Sequence, residues 1–335
     1  MAISDFADVE ATHRAYVEEI AVKRRTMVPI TLALRFAFAI SRVFGFEYKA
    51  FKRFIRPISK GFEDNMKSAF DGYEPTEHDV FVCSFAKSGT NWMMQVVHQI
   101  ANRGEGEFEE IMNVVAWPDS PVKELAIDLN DPRPVEFSPT GLRAIKTHSD
   151  AQYVPYSEKA KYVCVVRDPK DVVVSAYHFF RSVMLGPLLP SVETWVKLWR
   201  EGTFGSWGDF ASSYWAWRDR PNVFFITYEE LNKDTTGAII KIAELMNVEL
   251  TEDELAKIVR LSSFDYMKSV DHKFYPGELS PFADGGGRMV RSGKYGRSGE
   301  VLSSQQQAIM DEYCSKRLQE LGSDFPYEEY YGSAG

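Results

Sequence analysis

Two short motifs place basic and hydroxyl side chains where an apolar strand is predicted to give way to a helix. The first runs from Phe81 to Trp92 (FVCSFAKSGTNW) and combines Lys87 with small residues, Gly89 among them. A turn of this kind directs backbone N–H groups and the positive end of a helix at an anion, typically a phosphate. It is not the nucleoside-triphosphatase loop GxxxxGK[ST], because the lysine precedes the glycine. Taken alone, it predicts either a phosphate site or an ordinary strand-to-helix turn.

The second motif follows a later apolar run, from Val165 to Phe179 (VVRDPKDVVVSAYHF). Asp168 and Pro169 suit the start of a helix. Arg167 would leave the strand at its carboxyl end, where open α/β sheets bind ligands, and Ser175 lies two turns into the helix. An arginine fork with a hydroxyl suits a second phosphate, and a solvated arginine is the alternative. Two such sites on neighbouring strand ends indicate a nucleotide phosphorylated at both its 5′ and 3′ positions.

Short apolar strands alternate with helices from Asp79 onward, and these elements would position both motifs. Strands are predicted over 80–85, 142–146, 161–166 and 222–227, and helices over 91–101, 171–183, 229–246 and 252–261. This alternation predicts an α/β fold, a single domain over residues 76–330 with a mostly parallel central sheet flanked by helices. The Gly- and Ser-rich stretch 276–304 is predicted to be a long functional loop.

Composition excludes several classes of protein. The 335 residues are 44% hydrophobic and 26% charged, which excludes wholesale disorder and low-complexity character. A net charge of −9 argues against a nucleic-acid partner. Three cysteines without a metal or disulfide pattern favour a reducing, cytoplasmic setting. The chain opens with acidic residues rather than the positive start of a signal peptide, and Arg35 and Arg42 interrupt its longest apolar stretch.

Residues 1–75 are predicted to form an N-terminal helical extension with a strong basic bias. Between residues 20 and 60 there are ten Lys or Arg residues and one acid, so this segment carries 10 − 1 = +9 and the remainder −18. A helix is expected over about 29–57, with basic residues every seven positions at Arg35, Arg42, Lys49 and Arg56. Such a helix could lie in a membrane interface, which would make the protein membrane-peripheral, or pack on the domain with its basic stripe in solvent.

The two motifs together resemble those of the sulfotransferase family that uses 3′-phosphoadenosine 5′-phosphosulfate (PAPS). The family's loop near PKSGTTW is matched by AKSGTNW, and its motif near RNPKDVAVSYYHF by RDPKDVVVSAYHF, with KTH between them. The cytosolic enzymes that act on small molecules are the most similar type, over about residues 79–314. The resemblance implies PAPS as sulfonate donor, adenosine 3′,5′-bisphosphate (PAP) as product, a P-loop-like 5′-phosphosulfate loop and no metal.

Residue roles follow from the resemblance at the matching positions. Lys87 would contact the phosphosulfate and neutralise the departing phosphate, in a cradle made by Ser88, Gly89, Thr90 and Asn91. The adenine would lie among Trp92, Tyr228, Ser262 and Phe264. The 3′-phosphate would be held by Arg167 and Ser175 and closed over by Arg291, Ser292 and Gly293, where Ser292 replaces the family's usual lysine. The family's short dimer motif is not recognisable in residues 299–307, so the oligomeric state stays open.

The segment Lys146-Thr147-His148 resembles the family's KTH, which implies that His148 is the general base. Sulfonate transfer requires the acceptor oxygen to lose a proton, and a neutral imidazole suits that task at pH 7. Lys146 would steady the transferring sulfonate. His178 is the rival histidine, expected to pack or to shape the pocket. An apolar alcohol, phenol or amine is the expected acceptor, with Trp117, Pro118 and Phe137 as candidate walls.

Two other functions stay open on the residues alone. A sulfotransferase-fold dehydratase, in which the sulfonated alcohol eliminates before release, would use the same residues. A non-catalytic nucleotide-binding or membrane-docked protein would need no base, and the presence of both Lys87 and His148 argues against it.

Overall fold

Four parallel strands form one sheet in the computed structural model, which describes residues 3–291, 293 and 295–332. The strands are β1 (Asp79–Ser84), β2 (Arg143–Thr147), β3 (Lys161–Val166) and β4 (Val223–Thr227), in the order β2-β1-β3-β4. This confirms the predicted α/β domain with a parallel central sheet, and each strand lies within two residues of its predicted bounds. Strand β2 lies on one side of β1, and the next strand along the chain, β3, lies on the other side of β1. The resulting switch point lies between the carboxyl ends of β1 and β3, where ligands of open sheets bind.

The sheet is covered on both faces by helices, and the central residues of its strands are mostly apolar. The helices are α1 (Ala7–Thr26), α2 (Val28–Val43), α3 (Glu47–Ser68), α4 (Thr90–Ala101), α5 (Arg133–Glu136), α6 (Pro169–Phe180), α7 (Val192–Arg200), α8 (Trp207–Trp215), α9 (Tyr228–Lys233), α10 (Thr235–Leu245), α11 (Glu252–Leu261), α12 (Phe264–Ser269), α13 (Ser304–Glu320) and α14 (Tyr327–Tyr331). All six residues of β1 are buried, which is typical of a central parallel strand. Cys83, Cys164 and Cys314 are buried free thiols.

One predicted helix is two helices in the structure. The stretch expected to be helical over 229–246 breaks at Asp234, where α9 ends and α10 begins. The Asp234 carboxylate accepts a hydrogen bond from the N–H of Gly237 at 2.8 Å, which caps α10. Hydrophobic periodicity alone did not reveal this cap, because both helices bury apolar residues on similar faces.

The prediction of a single basic helix over 29–57 is wrong, because the structure has two helices there, α2 and α3. The chain turns between α2 and α3, where Gly45 adopts a φ of +75° that favours glycine. Pro57 was expected to end the helix, yet it lies inside α3, which continues to Ser68. Phe51 and Ile55 of α3 are fully buried against the sheet domain, and this packing offsets the backbone hydrogen bond that a proline removes.

Candidate active site

The carboxyl ends of the four strands open onto one cavity of about 510 Å³. Its lining includes fourteen of the sixteen site residues selected from the sequence, namely Lys87, Gly89, Thr90, Asn91, Trp92, Lys146, His148, Arg167, Ser175, Tyr228, Ser262, Phe264, Arg291 and Gly293. Ser88 is fully buried behind the wall. Ser292 lies outside the described residues. The cavity therefore joins both motifs and the histidine.

The turn after β1 forms one wall of the cavity. Lys87 has a φ of +70°, and Gly89, which precedes the first residue of α4, has a φ of +96°. A β-carbon at Gly89 would lie 2.8 Å from a ring carbon of Tyr228, so only glycine fits this position. The buried Ser88 hydroxyl has no hydrogen-bond partner among the described residues. A turn that presents backbone N–H groups at a helix N-terminus in this way is suited to a phosphate.

Arg167 lies on the other side of the switch point, at the end of β3. Its guanidinium is 3.0 Å from the Asp171 carboxylate, 3.5 Å from the backbone oxygen of Lys87 and 4.5 Å from the centre of the Tyr228 ring. Asp171 also accepts hydrogen bonds from the backbone N–H groups of Gly296 and Arg297, at 2.8 and 3.0 Å. Asp171 therefore connects the arginine to the long loop.

An aromatic cleft adjoins Arg167 within the cavity. The rings of Trp92 and Tyr228 meet edge to face with centroids 5.7 Å apart. Two buried polar atoms of this region, the indole Nε1 of Trp92 and the hydroxyl of Ser262, have no partner in the part of the chain that the structure describes. A flat heterocycle with ring nitrogens could satisfy such atoms while it stacks on the aromatic faces.

The long loop closes the cleft. Asn232 donates a hydrogen bond to the carbonyl oxygen of Gly293 at 3.1 Å. Gly293 lies so close to Phe264 that a β-carbon there would overlap the ring. Arg291 lines the cavity and pairs with Glu300 at 3.1 Å. The loop therefore adds a second arginine to the cavity that also holds Arg167, which suits a second anionic group.

His148 stands at the end of β2, and one ring nitrogen is fixed by the backbone. Its Nδ1 lies 2.6 Å from the carbonyl oxygen of Ser84. A carbonyl oxygen only accepts, so Nδ1 carries the proton and the lone pair is on Nε2. Burial, with a smaller contribution from the neighbouring Lys146 ammonium, lowers the pKa of His148 to about 3. The imidazole is therefore neutral at pH 7 and able to accept a proton. His178, the rival histidine, is not among the residues that line the cavity.

Two lysines face the same space and both contact aromatic rings. The ammonium of Lys87 lies 4.0 Å from the centre of the Phe179 ring, and that of Lys146 lies 3.2 Å from the Trp117 ring. Burial lowers the pKa of Lys87 to about 8, with a further contribution from Arg167. Burial also lowers the pKa of Lys146, against the attraction of Asp119. Desolvated lysines of this kind gain most from an anion placed between them.

Asp119 is a residue of the site that sequence reasoning missed. Its buried carboxylate accepts from the backbone N–H of His148 at 2.6 Å and from the Thr147 and Ser149 hydroxyls at 3.2 and 3.3 Å. These contacts hold the end of β2 and therefore the histidine. The signal was absent because Asp119 follows an irregular segment, and its partners lie about thirty residues away in the chain.

The wall near His148 and the two lysines is apolar. It consists of Phe62, Met112, Trp117, Phe179, Phe180, Met184, Phe274, Pro276, Leu279 and Met289. Of the three residues proposed for this wall, Trp117 lines the cavity, Pro118 does not, and Phe137 is part-exposed and packs on Phe6 at 6.0 Å. Phe62 was not anticipated, because it belongs to α3 of the N-terminal extension.

Helix α1 holds the segment that covers this apolar end. Nε2 of the buried His13 is 3.1 Å from the carbonyl oxygen of Pro276, and Nδ1 pairs with Glu110. Burial alone would lower the pKa of His13, but the contact with Glu110 outweighs it and raises the pKa. Arg24 donates to the carbonyl oxygen of Asp284 at 2.7 Å. The extension thus supports the cavity at two points, through α1 and through Phe62.

Comparison with known proteins agrees with this arrangement. The model of the sulfotransferase domain family matches residues 77–322. Sulfotransferase 2A1 of Rattus norvegicus is 28% identical over 269 residues, which cover 79% of this chain and 91% of that protein. Sulfotransferase 6B1 of Mus musculus is 30% identical over 272 residues, which cover 78% and 84%. The matched region contains the whole sheet and every predicted site residue.

Solved structures show the same fold. That of mouse sulfotransferase SULT7A1 complexed with PAP is 27% identical, has a TM-score of 0.60 and covers 81% of this chain and 94% of that chain. Retinol dehydratase in complex with androsterone and inactive cofactor PAP is 20% identical, with a TM-score of 0.61 and coverage of 81% and 88%, and it supports the fold alone. The chain therefore belongs to the sulfotransferase family, as a PAPS-dependent sulfotransferase.

Proposed function

We propose that the protein transfers the sulfonate of PAPS to the hydroxyl of a small apolar acceptor, with His148 as general base. The observation that supports this most directly is one cavity that is lined by basic and hydroxyl side chains of both motifs, by apolar side chains and by His148, whose lone pair is on Nε2. The donor supplies an activated sulfonate on a phosphate leaving group, and this chain supplies binding, charge and a proton acceptor.

The residues present fit the nucleotide of the donor. The turn from Lys87 to Thr90 suits the 5′ end, and Arg167 with Ser175 and Arg291 suits the 3′-phosphate. The unpartnered Ser88 hydroxyl, Trp92 Nε1 and Ser262 hydroxyl are buried polar atoms at this end, counted within the described residues. Such atoms are costly unless a ligand or water pairs with them, so their position favours a polar heterocyclic ligand.

In this proposal, His148 accepts the proton. In the reaction the acceptor oxygen forms a bond to sulfur, the bond from sulfur to the phosphate oxygen of the donor breaks, and the acceptor proton passes to Nε2. Lys87 neutralises the negative charge that develops on the leaving phosphate, and Lys146 stabilises the sulfonate during transfer. The Ser84 carbonyl keeps the proton on Nδ1 and so directs the basic nitrogen into the cavity.

The acceptor is an alcohol or phenol with an apolar body. Besides its cations, the cavity presents aromatic and thioether side chains, among them Trp117, whose ring centre lies 5.8 Å from that of His148. A pocket of this composition binds a ligand by burying its apolar surface, and it tolerates acceptors of different shapes. An amine would fit the same base when it is uncharged.

A transfer assay with sulfur-labelled PAPS tests the proposal. A panel of apolar alcohols and phenols should yield labelled product with the native chain and none with His148→Ala, while PAP affinity stays unchanged. Mass measurement of the product separates transfer from elimination: a sulfate ester supports transfer, whereas a dehydrated product assigns the protein to the dehydratase reaction. Absence of turnover across the panel, with PAP still bound, would favour a nucleotide-binding protein.

A further inference from the structure

Helix α2 turns an apolar face to solvent. Its inward positions recur at Thr31, Leu34, Phe38 and Ser41, and the opposite face carries Leu32, Phe36, Ile40 and Val43, followed at the turn by Phe44. Phe36, Val43 and Phe44 are 70%, 82% and 74% exposed. A helix on a domain surface normally directs such side chains at the core. A contiguous exposed patch of this kind marks an interaction surface.

The surroundings of this α2 face carry one sign of charge. Arg35 and Arg42 lie on one flank of α2, about 100–120° around the helix from Phe36. On α3 the exposed residues Lys49, Arg53, Arg56 and Lys60 share one face. Within the described residues, no carboxylate pairs with Arg35 or with these four. The segment from 20 to 60 carries +9 in a chain of net charge −9.

Helix α2 adjoins segments close in the chain to residues that line the cavity. Helix α2 packs against the turn Gly186–Leu188, which begins two residues after the cavity residue Met184. Beside it, Phe54 of α3 meets the ring of Phe282 at 6.1 Å, close in the chain to the cavity residue Leu279. Whatever binds α2 therefore lies near segments that contribute residues to the cavity.

We propose that the α2 face docks on the surface of an anionic lipid bilayer, from which apolar acceptors reach the cavity. The proposal rests on the proposed function, since it names the source of the acceptor. Leu32, Phe36, Val43 and Phe44 enter the acyl boundary, and Arg35 pairs with lipid phosphates, whereas Arg42 stays paired with Glu47 at 2.6 Å.

The charge pattern favours a bilayer over other occupants. Two copies of this chain joined through α2 would bring two strongly positive segments together, which opposes a homodimer. A convex apolar ridge offers no groove for a partner segment, whereas a lipid surface needs no matching shape.

The helix lies in the interface rather than across the bilayer. No single helix of the described residues is long and apolar enough to span a membrane, although two sharply bent helix pairs have the length and composition, at 7–26 with 28–43 and at 169–188 with 192–200. In the first pair, α1 has His13 and Ile20 buried in the protein, so it is not available to lipid.

Flotation of the full chain with vesicles tests the proposal. The native protein should float with vesicles of phosphatidylcholine and phosphatidylserine, float weakly with phosphatidylcholine alone, and be released by salt. Arg35→Glu reverses one charge near the surface and should weaken binding by about tenfold. Phe36→Ser with Phe44→Ser should abolish it. The matched controls Lys241→Glu and Ile240→Ser, exposed residues of α10, should float like the native chain.

Donor binding and activity on a water-soluble acceptor separate this proposal from the proposed function. Both should be unchanged in the α2 variants, and only turnover of a vesicle-dissolved acceptor should fall. Failure of the native chain to float, or flotation that the α2 variants share, overturns the docking proposal and leaves the proposed function intact. If the α2 variants instead dissociate a dimer seen by light scattering, the occupant is a second copy and the lipid proposal is wrong.

Discussion

Nδ1 of His148 donates a hydrogen bond to the carbonyl oxygen of Ser84 over 2.6 Å, which links the ends of β2 and β1. The same contact fixes the tautomer, so the free nitrogen is Nε2. Ser84 directly precedes the turn that carries Lys87. The proposed proton acceptor and the proposed leaving-group cation are thus held by adjacent strands, whose buried pairing fixes their separation.

Replacement of His148 is expected to affect turnover alone. His148→Ala should lower kcat by about 10²–10⁴-fold, the usual contribution of a general base. PAP affinity by calorimetry should remain within about twofold, because the imidazole does not lie in the phosphate cradle. A variant that retains full activity would remove His148 from the mechanism.

The dependence of kcat/KM for the donor on pH should report Lys87. Burial lowers the pKa of Lys87 to about 8, so its side chain carries a positive charge below that pH and loses the charge above it. Because the donor is an anion, kcat/KM should fall as the pH rises through about 8. As the pH is lowered to about 6, kcat/KM should not fall, because His148, whose pKa is lowered to about 3, stays unprotonated there. Lys87→Arg keeps its charge, and any activity it retains should lack the alkaline decline.

Gly89→Ala should destroy the donor site by a steric route. The added carbon would lie 2.8 Å from the Tyr228 ring, in a backbone conformation with φ of +96°. We expect PAP to bind at least about tenfold more weakly. Gly72→Ala is a matched control, because Gly72 has a φ of +76° and no atom lies within 4 Å of the added carbon. Equal losses in both variants would mean that backbone strain, rather than the ring, is responsible.

Asp119 is expected to act as a positioning residue. Asp119→Asn should lower kcat, because the amide is a weaker acceptor for the His148 backbone N–H. The carboxylate also raises the pKa of Lys146 against its burial, so Lys146 should lose its charge at lower pH in the variant, and kcat should begin to fall at lower pH than in the native chain. An effect on thermal stability alone, with an unchanged pH profile, would reduce Asp119 to a structural role.

Phe62 tests whether the N-terminal extension belongs to the acceptor site. Phe62→Ala removes apolar surface from the cavity and should raise KM for a bulky acceptor by roughly tenfold, with PAP affinity unchanged. Phe36→Ala, an exposed phenylalanine of α2 that does not line the cavity, is the control for a soluble acceptor. An unchanged KM would exclude the extension from acceptor binding.

The sheet and most of the cavity could be predicted because their determinants are local in the chain. Lys87, His148 and Arg167 each follow a strand within three residues, and the carboxyl ends of parallel strands meet at one edge of the sheet. Asp119 and Phe62 could not be predicted, since each reaches the cavity through contacts with residues distant in sequence. The turn at Gly45 was missed because the apolar and basic periodicities of α2 and α3 continue across it. These features depend on tertiary contacts, which a local sequence pattern does not encode.

Calorimetric titration with PAP and with ATP, on the native chain and on Arg167→Ala, tests the central claim most directly. The arrangement of two phosphate sites about the switch point predicts tight binding of PAP, much weaker binding of ATP, and loss of the PAP signal in the variant. Equal affinity for both nucleotides, or PAP binding that survives Arg167→Ala undiminished, would contradict the assignment of this cavity to the sulfonate donor.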